Sequence, residues 1–139
     1  MKFMNDDVYP VYANILRLAA SGTGQNEAGF GIPNVSVLPS THKLAIESTV
    51  NGNPKHSFKT EELPVNEWVK LQIFQSSDTY GIKVDGIVVH SVASTNPQQY
   101  SIVKVYTGDP WHKMYANVMI RNLELNGKST KPRRRNNFL

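Results

Sequence analysis

Apolar and polar residues alternate with a period of two along most of the chain, and turn-forming residues separate the alternating segments. The clearest case is residues 43–50, where one face carries Leu44, Ile46, Ser48 and Val50. The next pair, Asn51-Gly52, tolerates the positive φ angles of a type I′ turn, so we expect residues 56–60 to return as the second strand of a hairpin. No stretch of eleven or more residues holds a period of 3.6, so the pattern predicts an all-β chain.

Residues 68–92 predict a three-stranded antiparallel meander. The segment 68–75 has apolar side chains on both faces, which is typical of a central strand in a sandwich. After a polar turn, residues 80–84 alternate up to Asp85-Gly86, a second pair that favours a tight turn, and residues 87–92 return from it.

Four further segments complete the prediction of strands. They are residues 14–19, 35–38, 101–106 and 117–125. The last one needs a β-bulge near Arg121-Asn122 to keep its apolar residues on one face. The Gly-rich segment 21–31 leads into Ile32-Pro33 and a strand rather than a helix, so it is not expected to bind phosphate. Many short strands without crossover helices are typical of an antiparallel β-sandwich or barrel, of which we expect the sandwich.

The charge is distributed unevenly along the 139 residues. Residues 1–127 carry ten basic and eleven acidic side chains, whereas residues 128–139 carry five basic and no acidic ones. We therefore expect a β-sandwich domain over 1–127 and a basic, flexible tail over 128–139. Because the domain itself is slightly acidic, no nucleic-acid partner is expected. The absence of cysteine excludes disulfides and thiolate metal sites.

The chain shows no membrane or secretion signal of its own. Its longest apolar runs are three or four residues, such as Ile87-Val88-Val89, far below the roughly 20 residues that span a bilayer. The N-terminus lacks the apolar run of a signal peptide. Asn34-Val35-Ser36 matches the acceptor pattern for N-glycosylation, which matters only if the chain is secreted.

The segments between residues 63 and 125 resemble those of a known family of domains. The order "LPVNEW", "YGIKVDG", "VKVYTGDPW" and "ANVMIRNLEL" resembles the second half of a laminin-G-like, concanavalin A-like jelly-roll domain. With the strands that precede it, the likeness covers residues 12–127, and residues 2–5 are the remnant of an abbreviated first strand. The resemblance implies an extracellular or cell-surface recognition module for glycans or proteins. The His, Asn and Arg pattern of galectins is missing, so no galactoside-specific site is expected.

The loop "YTGDPWHKMYAN" at residues 106–117 is the candidate binding site. Its ligand-binding candidates are Asp109, Trp111, His112 and Tyr115. Exposed aromatic side chains at the rim of a sandwich can stack on a sugar ring or anchor a protein partner. The alternative is that Trp111 folds back to cap the core. No cofactor is expected; calcium, which some laminin-G-like domains bind, would have Asp78 and Asp109 as oxygen ligands but too few carboxylates.

No catalytic pattern stands out. The four histidines are dispersed, no Gly-x-Ser-x-Gly elbow is present, and acidic residues that lie close together in the sequence are few. We therefore expect a non-enzymatic recognition or adhesion module that binds a glycan or protein through rim loops. The first alternative is a structural domain that assembles with copies of itself and has no small ligand. A third option is a sandwich-fold glycan hydrolase or lyase, which would require two carboxylates that face each other in a groove.

Overall fold

The structure, a computed structural model, describes residues 1–24, 27–95, 97–98, 100 and 102–125. Across these residues the chain is all β and contains no helix, so no helix there could cross a membrane. The predicted basic tail at 128–139 lies outside the described residues. In chain order the strands are β1 (Lys2–Phe3), β2 (Ala13–Ala20), β3 (Asn34–Val37), β4 (Leu44–Val50), β5 (Asn53–Lys59), β6 (Leu71–Gln75), β7 (Thr79–Val84), β8 (Ile87–Ala93), β9 (Val103–Tyr106), β10 (Met114–Tyr115) and β11 (Val118–Met119).

The strands form three sheets. The large sheet has the order β10-β2-β3-β4-β5, and β9 pairs with the same edge of β2 as β10 does, further along the strand. The small sheet has the order β6-β7-β8, and β1 pairs with β11. All pairings are antiparallel except the two-residue pairing of β10 with β2.

The core lies between the inner face of the large sheet and the small sheet. Val35 pairs with Ile46 across β3 and β4, and Val37 pairs with Leu44, so all four side chains share one buried face. Tyr80 and Ile82 of β7 belong to the same apolar cluster. The Tyr80 hydroxyl lies 2.8 Å from Ser48 Oγ, which satisfies both polar groups inside the core. The all-β prediction is therefore confirmed for the described residues, and the antiparallel sheets are consistent with a β-sandwich.

The two predicted tight turns are confirmed. Asn51 and Gly52 have φ angles of 51° and 78°, and Asp85 and Gly86 have φ angles of 50° and 82°. Asn, Asp and Gly tolerate this left-handed backbone better than other residues do, which is why these pairs mark hairpins in sequence. The meander predicted over 68–92 is β6-β7-β8, although its first strand begins at Leu71.

The prediction of a long last strand over 117–125 is wrong. Only Val118 and Met119 pair, because their partner β1 is itself two residues long. Beyond them Asn122 has a φ angle of 54°, which turns the chain away from an extended path. The proposed bulge at Arg121-Asn122 is therefore a turn outside any strand.

Two histidines join the sheets at their edges. Nε2 of His56 in β5 lies 2.8 Å from Nε2 of His90 in β8, and the ring of His90 stacks on Phe58 at 4.7 Å. The two nitrogens share one proton in this contact, so one ring donates and the other accepts. Burial, and then the nearby charge of His56, lower the pKa of His90 below its usual value of 6.5.

This lowered pKa predicts that acid weakens the fold. The folded state favours neutral His90, so stability is fully present above pH 6.5 and falls as the pH drops from there toward the folded-state pKa. We expect the melting temperature to fall between pH 7.5 and pH 5, and to fall less for His90→Gln, whose amide keeps a hydrogen-bonding nitrogen. Thermal unfolding of both proteins across this range measures the difference. If the melting temperature depends on pH equally in both proteins, the lowered pKa of His90 is contradicted.

Candidate functional site

A β-bulge in β2 places two polar residues on the outer face of the large sheet. Asn14 pairs with Ser36, but Arg17 pairs with Asn34, because the register shifts between Asn14 and Leu16. In a regular strand two residues three apart lie on opposite faces. The extra residue in β2 therefore brings Arg17 to the face of Asn14 instead of the apolar core.

Buried amides and hydroxyls cross the outer face of the sheet in a connected network. Asn14 Nδ2 donates to Asn34 Oδ1 at 2.9 Å and lies 3.4 Å from Ser36 Oγ. Asn34 Nδ2 donates to Glu47 Oε1 at 3.2 Å. Asn14, Asn34 and Ser36 at the centre of the network are all buried. No buried polar side-chain atom of the described residues lacks a partner. A fully satisfied network of this kind holds its members in one arrangement.

An ion pair anchors the loop after β9 to this network. Arg17 Nε donates to Asp109 Oδ2 at 2.6 Å, and Asp109 is 0% exposed. Burial by itself would raise the pKa of Asp109, but hydrogen bonds from Arg17 and His112, together with their charges, outweigh it and lower the pKa below its usual 3.8. The carboxylate is therefore held ionised beneath the loop.

The second carboxylate oxygen of Asp109 shapes the loop itself. Oδ1 accepts hydrogen bonds from the backbone N–H groups of Trp111 and His112, at 3.1 and 3.0 Å, which is the geometry of an Asx turn. Asp109 N donates in turn to Asn14 Oδ1 at 2.9 Å. Before it, Gly108 has a φ of 83°, and a Cβ there would meet the Tyr115 ring at 2.8 Å. The loop conformation thus depends on Gly108 and Asp109 together.

A serine, a histidine and an aspartate form a hydrogen-bonded chain under the loop. His112 Nδ1 lies 2.8 Å from Asp109 Oδ1, and His112 Nε2 lies 3.3 Å from Ser36 Oγ. These contacts have the order of a catalytic triad. Ser36, however, is 1% exposed and does not line the adjacent groove, so a substrate carbonyl has no access to its hydroxyl. These hydrogen bonds instead occupy both ring nitrogens of His112 and hold the ring in one orientation.

A groove of about 210 Å³ opens beside this network on the outer face of the large sheet. Its floor comes from β2, β3 and β4, one wall from the segment before β3, and another wall from the loop after β9. Pro54 and Lys55 of β5 close one end. The lining residues are Arg17, Glu27, Phe30, Gly31, Asn34, Glu47, Pro54, Lys55, Trp111 and His112.

The structure brings two of the four predicted site residues to the groove. Trp111 is 43% exposed and packs edge-on against Phe30 and Tyr106, with ring centroids 4.8 and 5.2 Å apart. It therefore rests on neighbouring side chains and still presents surface to the groove. His112 lines the groove as well, whereas Asp109 lies beneath it with both oxygens occupied.

Tyr115, the fourth predicted residue, lies elsewhere. It is 59% exposed, belongs to β10 and covers Gly108, but it does not line the groove. Its contact with Gly108 braces the turn that begins the loop.

The sequence pattern does not indicate the groove residues Arg17, Asn34, Glu47 and Lys55. A weak signal existed for the first: Arg17 interrupts the apolar run of residues 15–20 in β2, and a buried arginine requires an acidic partner. Asn34 stands out in the sequence only as part of an acceptor pattern for N-glycosylation. Its side chain is buried and bonded on both sides, so it has no room for an attached glycan.

The part of the chain that the structure describes brings no metal ligands together. Within the described residues, no three His, Asp or Glu side chains are grouped to hold an ion. Of the two oxygen ligands considered for calcium, Asp109 is engaged by Arg17 and His112, and Asp78 accepts from the hydroxyls of Ser76 and Thr79 in an exposed turn.

Comparison with known proteins gives no relative: no family model, no curated protein and no solved structure matches the chain.

Substitution of Asp109 tests how much the Arg17–Asp109 ion pair contributes to the free energy of unfolding. Asp109→Asn keeps the side-chain size but leaves the Arg17 charge buried without its anion. We expect a loss of about 3–5 kcal/mol in the free energy of unfolding, measured by urea denaturation at pH 7. Because the pKa of Asp109 is lowered in the folded state, the difference from the unmodified protein should persist above pH 3.8 and disappear below the folded-state pKa.

Asp78→Asn is the matched control, because Asp78 is exposed in a turn. It should change the free energy of unfolding by no more than about 0.5 kcal/mol. Equal stability of the two variants would show that the buried pair does not hold the loop.

Proposed function

We propose that this chain is a non-catalytic recognition module that binds a glycan in the groove on the outer face of its large sheet. The proposal includes a lectin-type, laminin-G-like jelly roll and an extracellular or cell-surface location, both of which rest on the resemblance of residues 12–127. The observation that carries the binding function is the half-exposed Trp111 at the wall of a polar groove.

The rigidity of the groove supports binding. Trp111 follows directly after the turn that Asp109 holds, and its ring rests on Phe30 and Tyr106. A side chain that is already ordered loses little conformational entropy when a ligand arrives. An aromatic ring held in this way offers a large contact area on one side and packed support on the other.

The size and polarity of the groove favour a sugar over a protein surface. Its volume of about 210 Å³ is below the range of roughly 300–1,000 Å³ that holds drug-sized ligands, so it suits a small unit. Polar side chains line most of it, and a sugar offers hydroxyls to those groups and an apolar ring face to Trp111. A protein interface would bury a much wider area.

The absence of catalysis is part of the proposal. Its support is the enclosure of Ser36, which keeps the hydroxyl of this triad-like chain away from the groove. Glu27 and Glu47 both line the groove, so their carboxylates are the groups through which a glycan-cleaving reaction would have to act. We expect no shortened saccharides after prolonged incubation with any glycan that binds.

Self-assembly is the second candidate function, and one surface favours it. Ile87, Val88 and Val89 of β8 are all exposed, and β8 is an edge strand of the small sheet among the described residues. Exposed apolar side chains on an edge strand favour pairing with another chain. This surface lies on a different sheet from the groove, so the two functions can be tested separately.

Substitution of Trp111 tests the glycan-binding function. Trp111→Ala should weaken binding of the glycans identified on an array by at least about tenfold, equivalent to about 1.4 kcal/mol, when measured by isothermal titration calorimetry. It should also lower the free energy of unfolding by about 1 kcal/mol, because the contacts with Phe30 and Tyr106 are lost.

Tyr12→Ala is the matched control, since Tyr12 is also 43% exposed but does not line the groove. It should leave glycan binding unchanged. Equal affinities of the Trp111 and Tyr12 variants would refute the groove as the binding site. A stable dimer in light scattering that dissociates on Val88→Asp, with no glycan bound, would favour self-assembly instead.

A further inference from the structure

The floor of the groove is a row of directly paired residues across three strands. Arg17 of β2 pairs with Asn34 of β3, and Asn34 pairs with Glu47 of β4. Neighbouring strands are about 4.8 Å apart, so the row extends over roughly 10 Å. It therefore places a cation, an amide and a carboxylate side by side along the groove.

Arg17 contributes fixed hydrogen-bond donors to this row. The residue is 7% exposed, its Nε donates to Asp109, and its Nη1 donates to the Phe30 carbonyl at 3.2 Å. Its Nη2 has no hydrogen-bond partner among the described residues. No buried polar side-chain atom in that part of the chain is left without a partner, so Nη2 keeps some exposure, and Arg17 is one of the residues that line the groove.

The charge of Arg17 is already neutralised inside the protein. Asp109 forms the ion pair, and the guanidinium also lies over the Phe30 ring, 4.3 Å from its centroid. Nη2 therefore acts as a held N–H donor more than as an unpaired positive charge. A ligand need only supply an acceptor oxygen there.

Glu47 contributes acceptors at the other end of the row. Its Oε1 accepts from Asn34 Nδ2, and its Oε2 has no hydrogen-bond partner within the residues that the structure describes. A carboxylate oxygen can only accept, so a ligand must supply a donor at this position.

The groove is lined by charged side chains of both signs. Two cations, Arg17 and Lys55, and two carboxylates, Glu27 and Glu47, line it. An anionic ligand would meet both carboxylates, and a cationic ligand would meet both basic side chains. A hydroxyl group both donates and accepts, so an uncharged polyhydroxyl ligand satisfies Arg17 and Glu47 without repulsion.

We propose that the groove selects an uncharged sugar unit whose hydroxyls accept from Arg17 Nη2 and donate to Glu47, while Trp111 covers the ring. This inference rests on the proposed glycan-binding function and adds the ligand class. The volume of about 210 Å³ restricts the bound part to one small unit. Arg17 and Glu47 are then the residues that discriminate between neutral and charged glycans.

A panel of matched disaccharides tests the inference on the full chain. The neutral members are lactose, cellobiose, maltose and diacetylchitobiose; the anionic members are sulfated lactose and a glucuronate-containing disaccharide; the cationic member is the glucosamine dimer. Isothermal titration calorimetry should show that at least one neutral disaccharide binds, and that the charged members bind at least about tenfold more weakly.

Glu47→Gln provides the second arm, because it keeps the shape of the side chain but removes the carboxylate. It should weaken binding of the neutral disaccharide by about tenfold, whereas Glu67→Gln, an exposed carboxylate outside the groove, should not. The unchanged melting temperature of both variants checks their folding. The disaccharide panel is measured on the unmodified chain, so it tests the inference even if a variant does not fold.

The outcomes separate this inference from the proposed function. A charged disaccharide that binds as tightly as its neutral counterpart, and loses affinity on Trp111→Ala, overturns the selection of neutral sugars but supports the groove as a glycan site. Equal affinities of the unmodified chain and Glu47→Gln also overturn it. If no disaccharide binds and Trp111→Ala has no effect on the glycan array, both proposals fail.

Discussion

The buried ion pair between Arg17 and Asp109 is the constraint on which the outer face of the large sheet depends. The two residues are 92 positions apart in the chain, yet their side chains meet at 2.6 Å beneath the loop that follows β9. Two charges taken out of water must be paired closely and hydrogen-bonded further to offset their desolvation. Here Asp109 also accepts from His112 and from two backbone N–H groups, so the ion pair and the loop conformation stabilise each other.

The two faces of the large sheet have different roles. The inner face packs Val35, Val37, Leu44 and Ile46 against the small sheet and supplies the apolar burial that a domain without disulfides requires. The outer face carries the amide and hydroxyl network, and the loop after β9 covers part of it. Because β3 and β4 are fixed by the core, Asn34 and Glu47 on their reverse side are held at a constant spacing. A rigid sheet therefore positions the polar floor of the groove.

Local sequence signals predicted the turns and strands whose conformation depends on residues close together in the chain. Asn51-Gly52 and Asp85-Gly86 mark their turns through backbone preferences that act within two residues, and the alternation of Leu44 and Ile46 follows from the pleat. The loop carrying Trp111 and His112 also stands out in the sequence, because large amphipathic side chains follow Asp109-Pro110 there. The role of Arg17 was not predictable in this way. Its face depends on a bulge in β2, and its partner is distant in the chain. The short last strand was missed because its length is set by β1.

The central claim is that a ligand binds in the groove that the Arg17–Asp109 pair holds open. The most direct measurement is an NMR titration of the isotopically labelled chain with the neutral disaccharides, following backbone amides, the Arg17 Nε–H and the Trp111 indole N–H. The account predicts that the shift changes concentrate at Arg17, Asn34, Glu47 and Trp111, while the amides of β8 remain unchanged. Shift changes gathered around Ile87–Ala93, with the Arg17 and Trp111 signals unmoved, would contradict it.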